Sequence, residues 1–83
     1  MYTVEIKKRA KKELEGSPKK EQRRILGAFE VLRVNPFSGK MLEGKYEGAW
    51  SFRVWPYRII YTIQKERVTV TVIRIGRRQG VYG

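Results

Sequence analysis

Four arginines, Arg53, Arg58, Arg77 and Arg78, are set among strand-forming residues in the last third of the chain, and Tyr82 follows close behind them. A guanidinium makes forked hydrogen bonds to phosphate, and a phenol can donate a proton. Arg53, Arg58 and Arg78 beside Tyr82 would therefore make a phosphate-binding surface with a proton donor attached. Arg53 and Arg58 flank Trp55-Pro56, where a tight turn would set them opposite each other on adjacent strands. In antiparallel order the following strand would bring residues 76–78 beside the start of the strand that carries Arg58. Guanidiniums converging on one patch repel unless a polyanion lies between them. Singly, each residue has a plainer reading. Arg53 and Arg58 could be ordinary surface arginines, Arg58 pairing loosely with Glu66 or Glu43; Arg77-Arg78 could only add solubility; Tyr82 could anchor the tail in the core. It is their convergence that favours an anion site.

Composition narrows the chemistry. The 83 residues contain no histidine, so neither a Ser-His-Asp triad nor a histidine-based ribonuclease mechanism can operate. The eight carboxylates are scattered, which argues against a two-metal nuclease, and without cysteine there is no disulfide or thiolate zinc site. No metal and no cofactor are expected. Lys, Arg, Tyr and at most one Glu would have to do the work. Nineteen Lys and Arg give a net charge of +11. Residues 1–39 hold ten basic and five acidic side chains and residues 40–83 hold nine and three, so the excess is spread over the molecule. Such a field attracts nucleic acid by counterion release, or an acidic protein partner. No apolar run approaches the roughly 20 residues of a membrane span, and the first residues lack a signal-peptide core. A cytoplasmic protein with no membrane partner is the expectation.

The elements that must position these residues are legible in the periodicity. Tyr2, Val4 and Ile6 alternate with polar residues as a short half-buried strand. Lys7 to Gly16 predicts a charged helix with a narrow stripe at Ala10 and Leu14, ended by Gly16. Ser17 is the expected N-cap and Pro18 the first residue of a second helix, which Asn35-Pro36 stops. Ile25, Leu26, Phe29 and Leu32 form its apolar face. Residues 36–49 are a glycine-punctuated connector. Strands are expected at about 50–55, 57–64 and 67–75, with a polar turn at Gln64-Lys65-Glu66-Arg67. Val68, Val70 and Val72 share a face, but Ile73 and Ile75 break that parity, so either the strand is buried on both faces there or a bulge resets its phase. The whole chain, 1–83, is expected to be a single α+β domain in the order β-α-α-β-β-β. A helical hairpin packs on one face of a four-stranded, mostly antiparallel sheet, with Leu14, Ile25, Leu26, Phe29, Trp50, Phe52 and Ile59 in the core. Nothing in the chain would cover the opposite face, so the site belongs there.

Two stretches carry a family resemblance: Leu42-x-Gly44 through Trp50-Ser51 to Tyr57-Arg58-Ile59-Ile60-Tyr61, and Ile75-Gly76-Arg77-Arg78-Gln79-Gly80-Val81-Tyr82. Together they resemble the RelE branch of the RelE/ParE toxin superfamily, and the order of elements agrees from residue 2 to 82. The resemblance implies a RelE-like fold and a type II toxin that cleaves messenger RNA in the ribosomal A site. It implies a metal-independent endoribonuclease whose partners are the ribosome, its mRNA and a RelB-like antitoxin. Carried over, Arg58 would hold the scissile phosphate and Arg78 would stabilise the transition state or protonate the leaving group. Tyr82 would stack on or orient a base, and Arg53 lies where some members carry a lysine. Lys40, Lys45, Ser51 and Arg77 are the expected RNA contacts around them. The chain departs from the pattern at Ser51, a lysine in the best-known members, and at Arg77, often a histidine. Lys40 is the nearest match to a glutamate base of another branch. An arginine, with a pKa above 12, is a poor base. That role is left to Lys40, Lys45, Glu43 or Tyr82, or to the ribosome. The alternative on the same fold is a non-enzymatic protein, either a ParE-like toxin directed at DNA gyrase or a degenerate member that only binds its antitoxin.

Overall fold

The computed structural model describes residues 1–77; Arg78 and Tyr82 lie outside the described residues. Five strands form one sheet: β1 (Thr3–Ile6), β2 (Lys40–Met41), β3 (Trp50–Val54), β4 (Tyr57–Gln64) and β5 (Thr69–Arg77), in the spatial order β1-β5-β4-β3-β2. The β1–β5 pair is parallel and the other pairs are antiparallel. The expected sheet of four strands gains β2 as a short edge. Its two residues are too few to leave an alternation in the sequence, and its place is fixed by pairing Lys40 with Ser51 and Met41 with Trp50.

Two helices, α1 (Lys8–Glu15) and α2 (Lys19–Val34), lie over one face of the sheet. Ala10 and Leu14 of α1, with Ile25, Ala28, Phe29 and Leu32 of α2, close on Val54, Tyr57, Ile59, Tyr61, Val70, Val72 and Ile75. Trp50 and Phe52 are half-buried at the margin of this core. Leu26, expected inside, is 46% exposed. Each helical residue turns the side chain by about 100°, and the arc through Ile25, Ala28, Phe29 and Leu32 leaves Leu26 beyond its edge. Pro18 is the N-cap of α2 and not its first residue. The Ser17 hydroxyl does not cap α2; it donates to the Glu13 carbonyl (3.0 Å) and so helps to close α1. Gln22 ties the hairpin together by donating to the Ser17 and Glu15 carbonyls.

The broken parity of the last strand is a bulge. Ile60 pairs with Arg74 and Tyr61 with Val72, which leaves Ile73 as the extra residue on β5. Val68 is not part of the strand. It is exposed, in the turn before β5, with a left-handed backbone (φ 50°), so the strand begins two residues later than expected. β1 covers only residues 69–72 of β5; beyond that point α1 takes over the free edge. Glu13 accepts from the Ile75 N–H (2.8 Å) and pairs with the Arg74 guanidinium at 3.0 Å, so one carboxylate satisfies the strand edge and a half-buried cation.

Candidate phosphate-binding groove

Sheet alternation divides the arginines between the two faces. Ser51, Arg53, Arg58 and Ile60 point away from the helices, while Phe52, Val54, Tyr57 and Ile59 point toward them. The expectation that this second face is bare does not hold. Leu42, Tyr46 and Ala49, from the connector, fold back over Ile60 and Ile73 as a small apolar cluster. Gly44 and Gly48 supply the left-handed backbone (φ 67° and 93°) for that reversal. The connector thus covers part of the face and leaves the remainder open.

The open part is a groove of about 320 Å³. Arg53 and Arg58 are direct cross-strand neighbours in it, and Lys40 stands beside Ser51 on the next strand. On the other side Arg58 faces Gly76, which offers no side chain. Ser38-Gly39 and Phe52 complete the lining. Like charges directly opposite on a sheet repel. Among the described residues no carboxylate ion-pairs with Lys40, Arg53 or Arg58; neither Glu66 nor Glu43 reaches Arg58. The Arg58 Nε is buried and has no hydrogen-bond partner there. A buried donor left unmade costs about 1–3 kcal/mol. Cations held together with an orphaned donor are the arrangement that a multivalent oxyanion would satisfy.

Lys40 is paired with Ser51 on β3, and the segment that leads to it packs against Tyr61. That side chain stacks on Trp50 (6.5 Å between ring centroids), which meets Phe37 edge-on (5.6 Å). The Tyr61 hydroxyl donates to the Pro36 carbonyl at 2.7 Å. Burial pushes the phenol up to about 12, although a backbone hydrogen bond from Gly39 acts in the opposite sense. Gly39 is pressed so close that a Cβ would collide with the Tyr61 hydroxyl and come within 2.7 Å of the Ser51 carbonyl oxygen. The Asn35 side chain accepts from Phe37 N–H, and the Ser38 hydroxyl donates to the Asn35 carbonyl, so residues 35–39 form a rigid approach to β2.

Of the other expected contacts, Arg77 pairs with Tyr57 and lies with its guanidinium 5.7 Å from that ring, on the helix side of the sheet. It does not share the face of Arg58. Lys45 sits in a one-turn helix (Gly44–Tyr46) and does not line the groove. Gly39 and Phe52 line it without having been foreseen. The closeness of Gly39 depends on a contact with Tyr61, distant in sequence, and left only a lone glycine to read.

Residues 4–82 match the family described as ParE toxin of type II toxin-antitoxin system, parDE. The chain belongs to this toxin family. It is similar to toxin RelG of Mycobacterium tuberculosis, with 31% identity over 98% of this chain and 95% of the relative. Among solved structures, the toxin–antitoxin complex RelBE2 of M. tuberculosis contains a chain that superposes with a TM-score of 0.86 at 32% identity, covering 93% of this chain and 91% of that one. The archaeal RelE–RelB complex of Pyrococcus horikoshii gives 0.81 at 26% identity over 96% and 98%. The likeness therefore spans the helical hairpin, the sheet and the groove. The protein is a type II toxin–antitoxin toxin of the RelE/ParE superfamily, and its two-layer α+β fold is that of RelE-type toxins.

Proposed function

We propose that this toxin is a metal-independent endoribonuclease that cuts messenger RNA in the ribosomal A site, with the scissile phosphate held between Arg53 and Arg58. The observation that carries the reading is the buried Arg58 Nε, without a hydrogen-bond partner among the described residues, beside two further groove cations. Cleavage of this kind lets the 2′-oxygen attack phosphorus while the bond to the 5′-oxygen breaks. The proton of the 2′-hydroxyl goes to a base, and a proton must reach the departing 5′-oxygen. Arg58 and Arg53 supply fixed positive charge where the pentavalent phosphate becomes more anionic, and such preorganised charge usually contributes more to the rate than any other single effect. Lys40 is the amine that lines the groove and is the base we assign; Glu43 and Lys45 do not line it. Arg78 and Tyr82, outside the described residues, are assigned leaving-group protonation and base orientation from the family resemblance. A cytoplasmic setting follows from this substrate, and no described helix is long and apolar enough to cross a membrane.

The similar M. tuberculosis and P. horikoshii toxins were solved in complexes with antitoxins, which supports a RelB-like antitoxin as this chain's partner. The test of the activity is direct. Translating ribosomes are mixed with the protein and mRNA ends are mapped by primer extension. New ends within the A-site codon are expected, and Arg58→Ala should reduce their rate about a hundredfold or more. The matched family is named for ParE, which favours as second reading the alternative that the family resemblance implies, a ParE-like toxin directed at DNA gyrase. Intact mRNA together with loss of gyrase supercoiling would select it.

A further inference from the structure

Trp55 is the most exposed aromatic side chain among the described residues, with 55% of its surface open. It lies in the two-residue turn that closes the Val54–Tyr57 pair, immediately beyond the Arg53–Arg58 pair. Two residues along a strand span about 7 Å, so an indole there is within reach of a nucleoside whose phosphate lies at Arg53 and Arg58. The neighbouring aromatics are less exposed. Trp50 is held between Phe37 and Tyr61, Lys65 lies over Phe37, and Tyr57 is buried with Arg77 over its ring. A cationic track for the backbone next to an exposed aromatic ring is the combination by which proteins take up single-stranded nucleic acid without reading its sequence. An exposed tryptophan is ordinary on a protein surface; at the end of a groove of cations it acquires a use.

We propose that Trp55 is a base-stacking platform, so that the groove takes a single RNA strand with a base resting on the indole next to the phosphate held by Arg53 and Arg58. This rests on the phosphate-binding reading of the groove. It adds a contact with the base, which the arginines do not make, and it tolerates any base because each has a π-face. The indole carries no charge, so its contribution does not depend on salt, whereas that of the arginines does.

The test uses the full chain, a short dye-labelled single-stranded RNA, and an abasic strand with the same sugar–phosphate backbone. Trp55→Ala should weaken binding of the RNA about ten- to a hundredfold. It should leave binding of the abasic strand and the salt slope unchanged, which also shows that the variant is folded. Trp55→Phe should keep most of the affinity. RNA should quench the indole emission of the unaltered protein and leave that of Trp55→Phe, which retains Trp50, unaffected. Arg58→Ala should weaken both strands and flatten the salt slope. If Trp55→Ala binds RNA as tightly as the unaltered protein while Arg58→Ala does not, stacking is overturned and the groove stands. Equal loss on both strands makes Trp55 merely structural and overturns the proposal. Weakened binding of an acidic antitoxin peptide with RNA binding intact would assign Trp55 to a protein interface instead. If Arg58→Ala changes neither strand, the groove itself is misread, and the stacking platform falls with it.

Discussion

Arg58 is kept at a cost to the fold. Its Nε is buried with no partner among the described residues, and its cross-strand neighbour is Arg53. Replacing it by an apolar side chain of similar length removes both penalties. Arg58→Met should therefore stabilise the protein by about 1 kcal/mol in chemical denaturation while abolishing phosphate binding. Stability that falls instead would mean that the guanidinium has a structural partner. Tyr61 makes the opposite case, a polar group whose bond is made. With the folded phenol pushed up to about 12 and the unfolded one near 10, the unfolded chain releases its proton first as pH rises. The unfolded state then binds fewer protons, so stability is full below pH 10, declines through the window up to about 12, and is level beyond it. The total loss is on the order of 2–3 kcal/mol. Tyr61→Phe should start about 1–2 kcal/mol less stable, since the Pro36 carbonyl loses its donor, and should lack this decline. Urea melts of both proteins from pH 9 to 12 provide the comparison, in which lysine titration is common to the two.

Elements are joined here by few contacts of large consequence. The end of α1 and the free edge of β5 meet through Glu13, which serves both the Ile75 N–H and the Arg74 side chain. Glu13→Gln should cost about 1–3 kcal/mol, because a half-buried guanidinium loses its counter-charge; a change below about 0.5 kcal/mol would show that this junction contributes little. Two glycines offer a contrast in sign. A Cβ at Gly39 has nowhere to go between Tyr61 and Ser51, whereas at Gly27, on the outer face of α2, it meets nothing within 4 Å. Gly39→Ala should destabilise by about 1–3 kcal/mol and displace Lys40, while Gly27→Ala should stabilise by about 1 kcal/mol. Thermal melts of the pair test the packing of the connector against the helix propensity of α2 in one experiment. These junctions were not legible in the sequence. Ala10 and Leu14 announced α1, but nothing local marked Glu13 as the group that would meet residues more than sixty positions away.

For the whole molecule the net charge of +11 and the groove act together. Binding of single-stranded RNA should weaken steeply with salt, and each groove cation removed should lower the slope of log affinity against log salt by about 1. Substitution of lysines remote from the groove on α1, such as Lys11, should instead slow association and leave the bound complex nearly unchanged. If the antitoxin neutralises by covering the groove, its acidic side chains compete with RNA for Lys40, Arg53 and Arg58, and the toxin–antitoxin complex should bind little RNA. Undiminished RNA binding by the complex would mean that the antitoxin acts by bulk at the ribosome.

Local rules settled the order of elements, because each depends on neighbours within a few residues. Alternation marked β1 and β3, Pro56 and the polar turn at Gln64-Lys65-Glu66-Arg67 bounded β4, helical spacing marked the face of α2 through Ile25, Phe29 and Leu32, and Asn35-Pro36 ended it. The same rules placed Arg53 opposite Arg58, since a two-residue turn leaves a single register, and the irregular parity of Ile73 and Ile75 already required a bulge or two buried faces. Other features needed the third dimension. The sequence could not show that β2 would form, because two residues have no period, or that Leu42, Tyr46 and Ala49 would cover part of the open face. Nor could it place Arg77 on the helix side, since that face depends on the phase that the bulge at Ile73 sets. Lys40 stands in the groove through its pairing with Ser51 and through the contacts of Pro36 and Gly39 with Tyr61, twenty-one residues later, which no local pattern records. Periodicity reports which way a side chain points along its own element; which charges share a cavity is decided by contacts between segments far apart in the chain.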